Sequence, residues 1–159
     1  MFSLKTFFSP LGTLSLTGTQ KGLCGISFTE TWSDQPHCHV PDYMHQAVEQ
    51  LQEYLQGRRR TFDIPLDLAG TRFQLQVWQA LGYIGYGQTA SYQDIARRVG
   101  RPRAARAVGG ANNKNPLPIV LPCHRVIGHN GRLVGYGSGL WRKVWLLRLE
   151  GVRVLDQDM

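Results

Sequence analysis

Apolar and polar positions follow one rhythm in the first half of the chain and another in the second. LKTFFSP, GTLSLTG and GLCGISFTE, within residues 4–30, are short β-prone runs separated by Pro-Leu-Gly and Thr-Gln-Lys-Gly. Breaks of that kind between strand-forming runs predict an antiparallel meander. After the polar stretch WSDQPHCH, Met44, Ala47, Val48, Leu51, Tyr54 and Leu55 recur at helical spacing, with Gly57 as the stop. A helix lying on a sheet is the expectation. TFDIPLDLAG then reads as an edge strand broken by Pro65 and running into a linker.

The second half reads as helices with explicit start signals. Thr71 and Gln74 fit a capping box ahead of Phe73, Val77, Trp78 and Leu81, and Ser91 and Asp94 fit another ahead of Ile95, Ala96 and Val99. Gly100 ends the second of these helices, Pro102 stands where a new one would begin, and RAARAVGGANN supplies it. Helix, short Gly-containing turn, helix is a helix-turn-helix pattern, which also occurs in proteins that bind no DNA. Ala104, Ala105, Ala107, Gly109, Gly110 and Ala111 leave that last helix almost without bulk. Each glycine costs a helix about 1 kcal/mol relative to alanine, so a thin helix must gain elsewhere. It either packs tightly on another helix or brings backbone close to a ligand such as a nucleic-acid groove. LWRKVWLLRLEG forms the final helix, packing Leu140, Val144, Trp145 and Leu147 and stopping at Gly151.

Composition narrows the setting. The chain has 159 residues, 42% of them hydrophobic and 18% charged, enough for one good core or two small ones. No apolar run approaches the roughly 20 residues of a membrane span. The N-terminus, MFSLKTFFSPLG, lacks the pattern of a secretory signal, so a cytoplasmic location is expected, or a nuclear one in a eukaryote. The net charge of +7 is unevenly divided: residues 1–70 hold five Lys/Arg against seven Asp/Glu, and residues 71–159 hold thirteen against four. Arg97, Arg98, Arg101, Arg103 and Arg106 follow one another with no acid among them after Asp94. That is the footprint of a polyanion partner, or else a solvated basic face.

The candidate chemistry lies in NPLPIVLPCHRVIGHNGRLVGY, residues 115–136. Pro116, Pro118 and Pro122 exclude a helix, so the chain is expected to run extended up to Cys123. His129-Asn130-Gly131-Arg132 reads as a turn from which Ile127 and Leu133 begin two paired arms, and GYGSG, residues 135–139, as a loop whose amides can approach a ligand. Cys24, Cys38 and Cys123 form no regular framework, which favours free thiols or one reactive thiol. His124 is the obvious activator of Cys123. Adjacent residues on an extended strand face opposite sides, however, so a direct contact needs a turn there or a bridging water. A buried structural cysteine is the other reading of the pair alone.

PCHRV at residues 122–126, preceded by AARAVGGANNKNP and followed by GYGSGL and a helix ending in LEG, resembles the active-site domain of the O6-alkylguanine-DNA alkyltransferases. The resemblance runs from about Phe73 to Gly151. It implies an α/β N-terminal domain resembling ribonuclease H, over residues 1–70 with the linker, and a mainly α C-terminal domain with a DNA-binding helix-turn-helix, over residues 71–154, before a tail at 155–159. It implies that Cys123 takes an alkyl group irreversibly from O6 of guanine, or from O4 of thymine. His124 and Glu150 match the family's relay, Glu150 orienting His124 and His124 taking the thiol proton through a water. Asn115 matches the asparagine that ties the recognition helix to the active-site segment. Tyr92, Tyr136 and the backbone of Gly137 and Ser138 are implied to meet the extruded base. Arg106 matches the finger that replaces that base in the duplex, with Ala105, Gly109 and Arg103 on the same DNA-facing side. The implied partner is double-stranded DNA containing O6-alkylguanine, bound by a monomer without a cofactor and away from any membrane.

Two other readings belong beside this one. Relatives that bind damaged DNA without repairing it carry another residue, often tryptophan, at the acceptor position, where this chain has Cys123. A helix-turn-helix regulator is the second, although regulators in this family carry a metal-binding sensor module that these residues do not contain. Cys24, His37, Cys38 and His39 are conceivable zinc ligands. Lys5 stands about where zinc-holding members carry a further cysteine, and three consecutive ligands rarely face one ion, so no metal is expected.

Overall fold

The computed structural model describes residues 2–29 and 39–154. The chain divides into two compact units, Met1–Ala69 and Gly70–Met159.

The first unit holds the meander. Strands β1 (Phe2–Ser9), β2 (Gly12–Gly18) and β3 (Leu23–Thr29) pair antiparallel in sequence order. Gly12, at φ 103°, turns the first pair, whose register runs from Phe2 opposite Gly18 to Ser9 opposite Gly12. Leu14 and Leu16 of the central strand are fully buried together with Leu23, Met44, Ala47 and Leu51, which form one core between sheet and helix. The helix, α1 (Asp42–Leu55), buries the face that its spacing predicts, and Gly57 at φ 76° follows its end. The expected edge strand at 61–70 is reduced to one parallel bridge. Leu23 N–H donates to the Pro65 carbonyl at 2.8 Å and Asp67 N–H to the Leu23 carbonyl at 2.9 Å. Pro65 has no donor with which to extend the ladder.

The second unit is mainly helical. Helix α2 (Arg72–Leu81) and helix α3 (Tyr92–Arg98) each begin with a complete capping box, Thr71 with Gln74 and Ser91 with Asp94. Gly100, at φ 76°, ends the turn after α3. Helix α4 (Ala105–Asn113) starts three residues beyond Pro102, which lies in a turn closed by Ala104 N–H on the Arg101 carbonyl at 2.9 Å. Helices α2, α3 and α4 pack on one another, with Val77, Leu81, Ile95, Ala96 and Val108 between them, and the Trp78 indole donates to the Ala111 carbonyl at 2.9 Å. Helix α5 (Leu140–Leu149) follows the active segment and buries Val144, Leu146 and Leu147. Trp145 lies half-buried, and the unforeseen member of that inner face is Lys143, fully buried.

The segment before Cys123 is not extended. Leu121 N–H donates to the Leu117 carbonyl at 2.8 Å, and Ile119 sits at φ 78° with its side chain buried. A β-branched residue there is strained by about 1–3 kcal/mol, so the surroundings must hold it. Asn115 does so by acting as a short mock strand: its Oδ1 accepts from Leu117 N–H at 2.9 Å and its Nδ2 donates to the Leu121 carbonyl at 2.8 Å. The turn at 128–132 forms as expected, with Gly131 at φ 81° and Gly128 N–H on the Arg132 carbonyl at 2.7 Å. Its leading arm pairs elsewhere: β5 (Val126–Ile127) lies parallel to β4 (Ala90–Ser91) instead of against Leu133.

Candidate active site

Cys123 opens a single 3₁₀ turn, Cys123–Arg125, placed directly after the Asn115-stapled bend and packed against α5. That turn rotates three consecutive side chains into the interior, which an extended strand would not have done. Cys123 is 4% exposed, His124 0% and Arg125 7%. The Tyr136 hydroxyl lies 3.8 Å from the Cys123 sulfur, and Asn112 Nδ2 donates to the Cys123 carbonyl at 3.3 Å. Burial pushes the Cys123 thiol up, while hydrogen bonds from Asn115 and Tyr136 and the charge of Lys143 pull it back down. A resting thiol that can be activated results, not a standing thiolate.

Glu150, at the C-terminal cap of α5, is buried and gathers four donors. His124 Nε2 lies 2.7 Å from its Oε2; Arg125 Nε and Nη2 reach Oε1 and Oε2 at 2.8 and 3.0 Å; and Gly87 N–H donates to Oε1 at 3.0 Å. Those bonds fill the roughly four acceptor positions of a carboxylate. The third Arg125 arm, Nη1, donates to the Ile84 carbonyl at 2.6 Å. Burial pushes the His124 imidazole down, Glu150 pulls it up, and the charges of Arg125 and Lys143 push it down again.

The loop at 134–139 is held by three side chains from two elements, α3 and α5. Lys143 Nζ donates to the Val126 carbonyl at 2.6 Å and the Gly135 carbonyl at 3.2 Å, and burial lowers its ammonium to about 8. The Tyr92 hydroxyl donates to the Val134 carbonyl at 2.9 Å, and burial, then the Cys123 charge, raises its phenol. Arg142 donates to the Ser138 carbonyl. Beside this loop runs an open groove of about 700 Å³, lined by Tyr92, Gln93 and Arg97 of α3, by Ala105, Arg106, Gly109 and Asn113 of α4, and by residues of the 128–135 loop. A Cβ placed on Gly110 would meet nothing within 4 Å, and one on Gly109 only the Tyr92 ring at 3.8 Å. Tight helix packing therefore does not account for these glycines, and the bare face of α4 is turned to open space.

Residues 72–152 match the model for the 6-O-methylguanine DNA methyltransferase DNA-binding domain, and residues 4–68 that for the ribonuclease-like domain of the same methyltransferase. The methylated-DNA–protein-cysteine methyltransferase of Mycobacterium leprae is 47% identical over 158 residues, spanning 98% of this chain and 96% of that protein. That of Methanosarcina acetivorans is 45% identical over 152 residues, spanning 91% and 96%. The crystal structure of Mycobacterium tuberculosis OGT in complex with DNA is similar with a TM-score of 0.84 at 46% identity, over 94% of this chain and 92% of that one. The chain belongs to the 6-O-methylguanine DNA methyltransferase family. Its first unit is the family's ribonuclease-like domain, and its second is the DNA-binding domain.

Against the family pattern, the expected residues fall into two groups. Asn115, Tyr92 and Tyr136 gather around the Cys123 sulfur, His124 of the same turn pairs with Glu150, and Ala105, Arg106 and Gly109 line the groove. Gly137 backs onto α4, where a Cβ would come 3.1 Å from the Asn113 carbonyl. The Ser138 carbonyl is occupied by Arg142. Arg103 stands exposed in the turn before α4 and outside the groove lining. Of the zinc candidates, His37 and Cys38 lie outside the described residues. Cys24 places its sulfur 3.8 Å from the Thr17 hydroxyl, and no group of three or more His, Cys, Asp or Glu able to hold a metal occurs among the described residues. No helix among them is long and apolar enough to cross a membrane. Arg125 and Lys143 were not foreseen. Both had a signal: Arg125 is the charged residue inside PCHRV, and Lys143 shares a helical face with Leu147 and Glu150, four and seven residues on.

Proposed function

We propose that this protein repairs DNA by direct reversal, moving a methyl or other alkyl group from O6 of guanine in duplex DNA irreversibly onto Cys123. The observation that carries the assignment of the acceptor is the 3₁₀ turn, which sinks the thiol beside Tyr136 and sets His124, 2.7 Å from Glu150, next to it. His124 takes the thiol proton through a bridging water. The thiolate sulfur attacks the alkyl carbon in line, the carbon–O6 bond breaks, and its electron pair stays on guanine, which is protonated as it leaves. A thioether remains on Cys123. Such a product is a poor leaving group, so each chain acts once.

The target base must leave the helix, because the duplex interior offers sulfur no approach. The bare face of α4 suits a close approach to the minor groove, and Arg106 on that face is placed to fill the gap left by the base. Tyr92, which lines the groove, and Tyr136, whose hydroxyl lies 3.8 Å from the sulfur, would receive it. The protein works where the chromosome is: in the cytoplasm, or in the nucleus of a eukaryote. A damage-binding protein without transfer activity needs no acceptor thiol, and Cys123 stands in the acceptor position.

Incubation with a duplex carrying labelled methyl on guanine O6 tests the reading. Label should move to the Cys123 peptide at no more than one group per chain, and Cys24→Ser should leave transfer intact. Catalytic turnover, or full transfer by Cys123→Ala, would overturn it.

A further inference from the structure

We infer that Arg125 is a positioning residue for transfer: by occupying both oxygens of Glu150 it keeps His124 a neutral base instead of letting the carboxylate turn it into a resting imidazolium. The inference rests on the assignment of His124 as the base. Its starting point is the set of donors on Glu150. A guanidinium stays charged throughout the working range, and one sunk to 7% exposure must be neutralised where it lies. Its fork does so on Glu150 at 2.8 and 3.0 Å, which fixes that group as a carboxylate. An ionised Glu150 can only accept, so the hydrogen in its 2.7 Å contact with His124 sits on Nε2. Neutral His124 is therefore the Nε2–H tautomer, and Nδ1 is the nitrogen that takes the thiol proton.

The charges around the imidazole carry the rest. From α5 it faces Glu150 and Lys143, and from its own turn Arg125. Glu150 and Arg125 cancel. A proton added to His124 would then put a further positive charge into a buried site that already holds Lys143. Without Arg125, the Glu150 charge would face His124 alone and hold a proton on it, as carboxylates do to buried histidines. The base would be spent before substrate arrived. Arg125 also ties the turn to the Ile84 carbonyl at 2.6 Å, so a loss of packing must be told apart from a loss of tuning.

The test follows transfer rate against pH in wild type, Arg125→Gln and Arg125→Lys, with the His124 ring followed by NMR in each. In Arg125→Gln the acid-side midpoint should rise by about one pH unit, so that the rate below both midpoints falls about tenfold. Arg125→Lys keeps the cation without the fork, and should keep the midpoint close to wild type while slowing transfer at every pH. An Arg125→Gln profile lowered uniformly with an unmoved midpoint would leave Arg125 a purely structural residue and overturn the inference. Should that variant fail to fold, the wild-type titration decides: His124 must stay neutral to below the ordinary 6.5, and protonation at or above that value overturns the proposal. A wild type that transfers no label would defeat the methyltransferase reading, while the same titration still judges this one.

Discussion

Lys143 is an ammonium with no exposed surface, held by two carbonyls and, among the described residues, by no carboxylate. Its cost should show in stability. Burial lowers the group from 10.5 to about 8. Below pH 8 both folded and unfolded chains carry the proton and the full cost is felt. From pH 8 to 10.5 the folded state has released it and the unfolded state has not, so folding gains as pH rises. Cys123 acts oppositely but only from 9.0 upward, because its thiol is raised above that value. Between pH 8 and 9 the wild type should therefore gain about 1 kcal/mol relative to Lys143→Met in urea unfolding. Parallel pH dependences in the two proteins would show that folded Lys143 keeps its proton through this range, so that burial does not depress it. The sequence marked Cys123 and His124 because a thiol beside an imidazole is rare and reactive. It left Lys143 and Arg125 obscure because burial of a cation depends on carbonyls and a carboxylate brought in from distant parts of the chain.

The elements were legible where the cause is local. Both capping boxes, the meander and the helix stops at Gly57 and Gly100 formed as the spacing predicts. The bend at 116–121 was not legible, because prolines forbid a helix without choosing between an extended chain and a reversal. Asn115 makes that choice through two side-chain bonds. Local composition also grouped five arginines that the fold separates. Arg97 and Arg106 face the groove, whereas Arg98 lies 3.8 Å over the Tyr83 ring and Arg101 5.6 Å over that of Phe73. Arg97→Ala should therefore lower the slope of log affinity against log salt by about one phosphate contact, and Arg98→Ala much less. Arg106→Ala should reduce transfer from duplex far more than transfer from free O6-methylguanine; equal losses would remove its role as a finger. Gly110→Ala isolates the bare face of α4. With open space around its Cβ, it should stabilise the protein by up to about 1 kcal/mol while weakening DNA binding. Unchanged DNA affinity would mean that this face does not dock.

Across the molecule, the chain carries its excess positive charge in residues 71–159 and sinks its reactive sulfur within the same unit. That arrangement has a consequence for the protein after reaction. Cys123 is 4% exposed, with the Tyr136 hydroxyl 3.8 Å from its sulfur and its carbonyl tied to Asn112 in α4. Forcing one extra methyl into a packed site typically costs about 1–3 kcal/mol. Methylation also ends the sulfur's ability to ionise, so the hydrogen bonds that Asn115 and Tyr136 direct at it lose an anionic partner. Strain at the sulfur has a short path outward. Asn112 belongs to α4, and Asn115, two residues beyond its end, holds the strained Ile119 bend. Relief by shifting the turn must therefore disturb the helix whose bare face lines the groove. The methylated protein should melt lower, by roughly 2–4 °C for each kcal/mol lost, and should bind undamaged duplex more weakly than the unreacted protein. Calorimetric melts and titrations of both forms at one salt concentration measure this directly. A melting temperature that is unchanged or raised after methylation would mean that the pocket has room for the group, and that release of the spent protein is not driven by strain at Cys123.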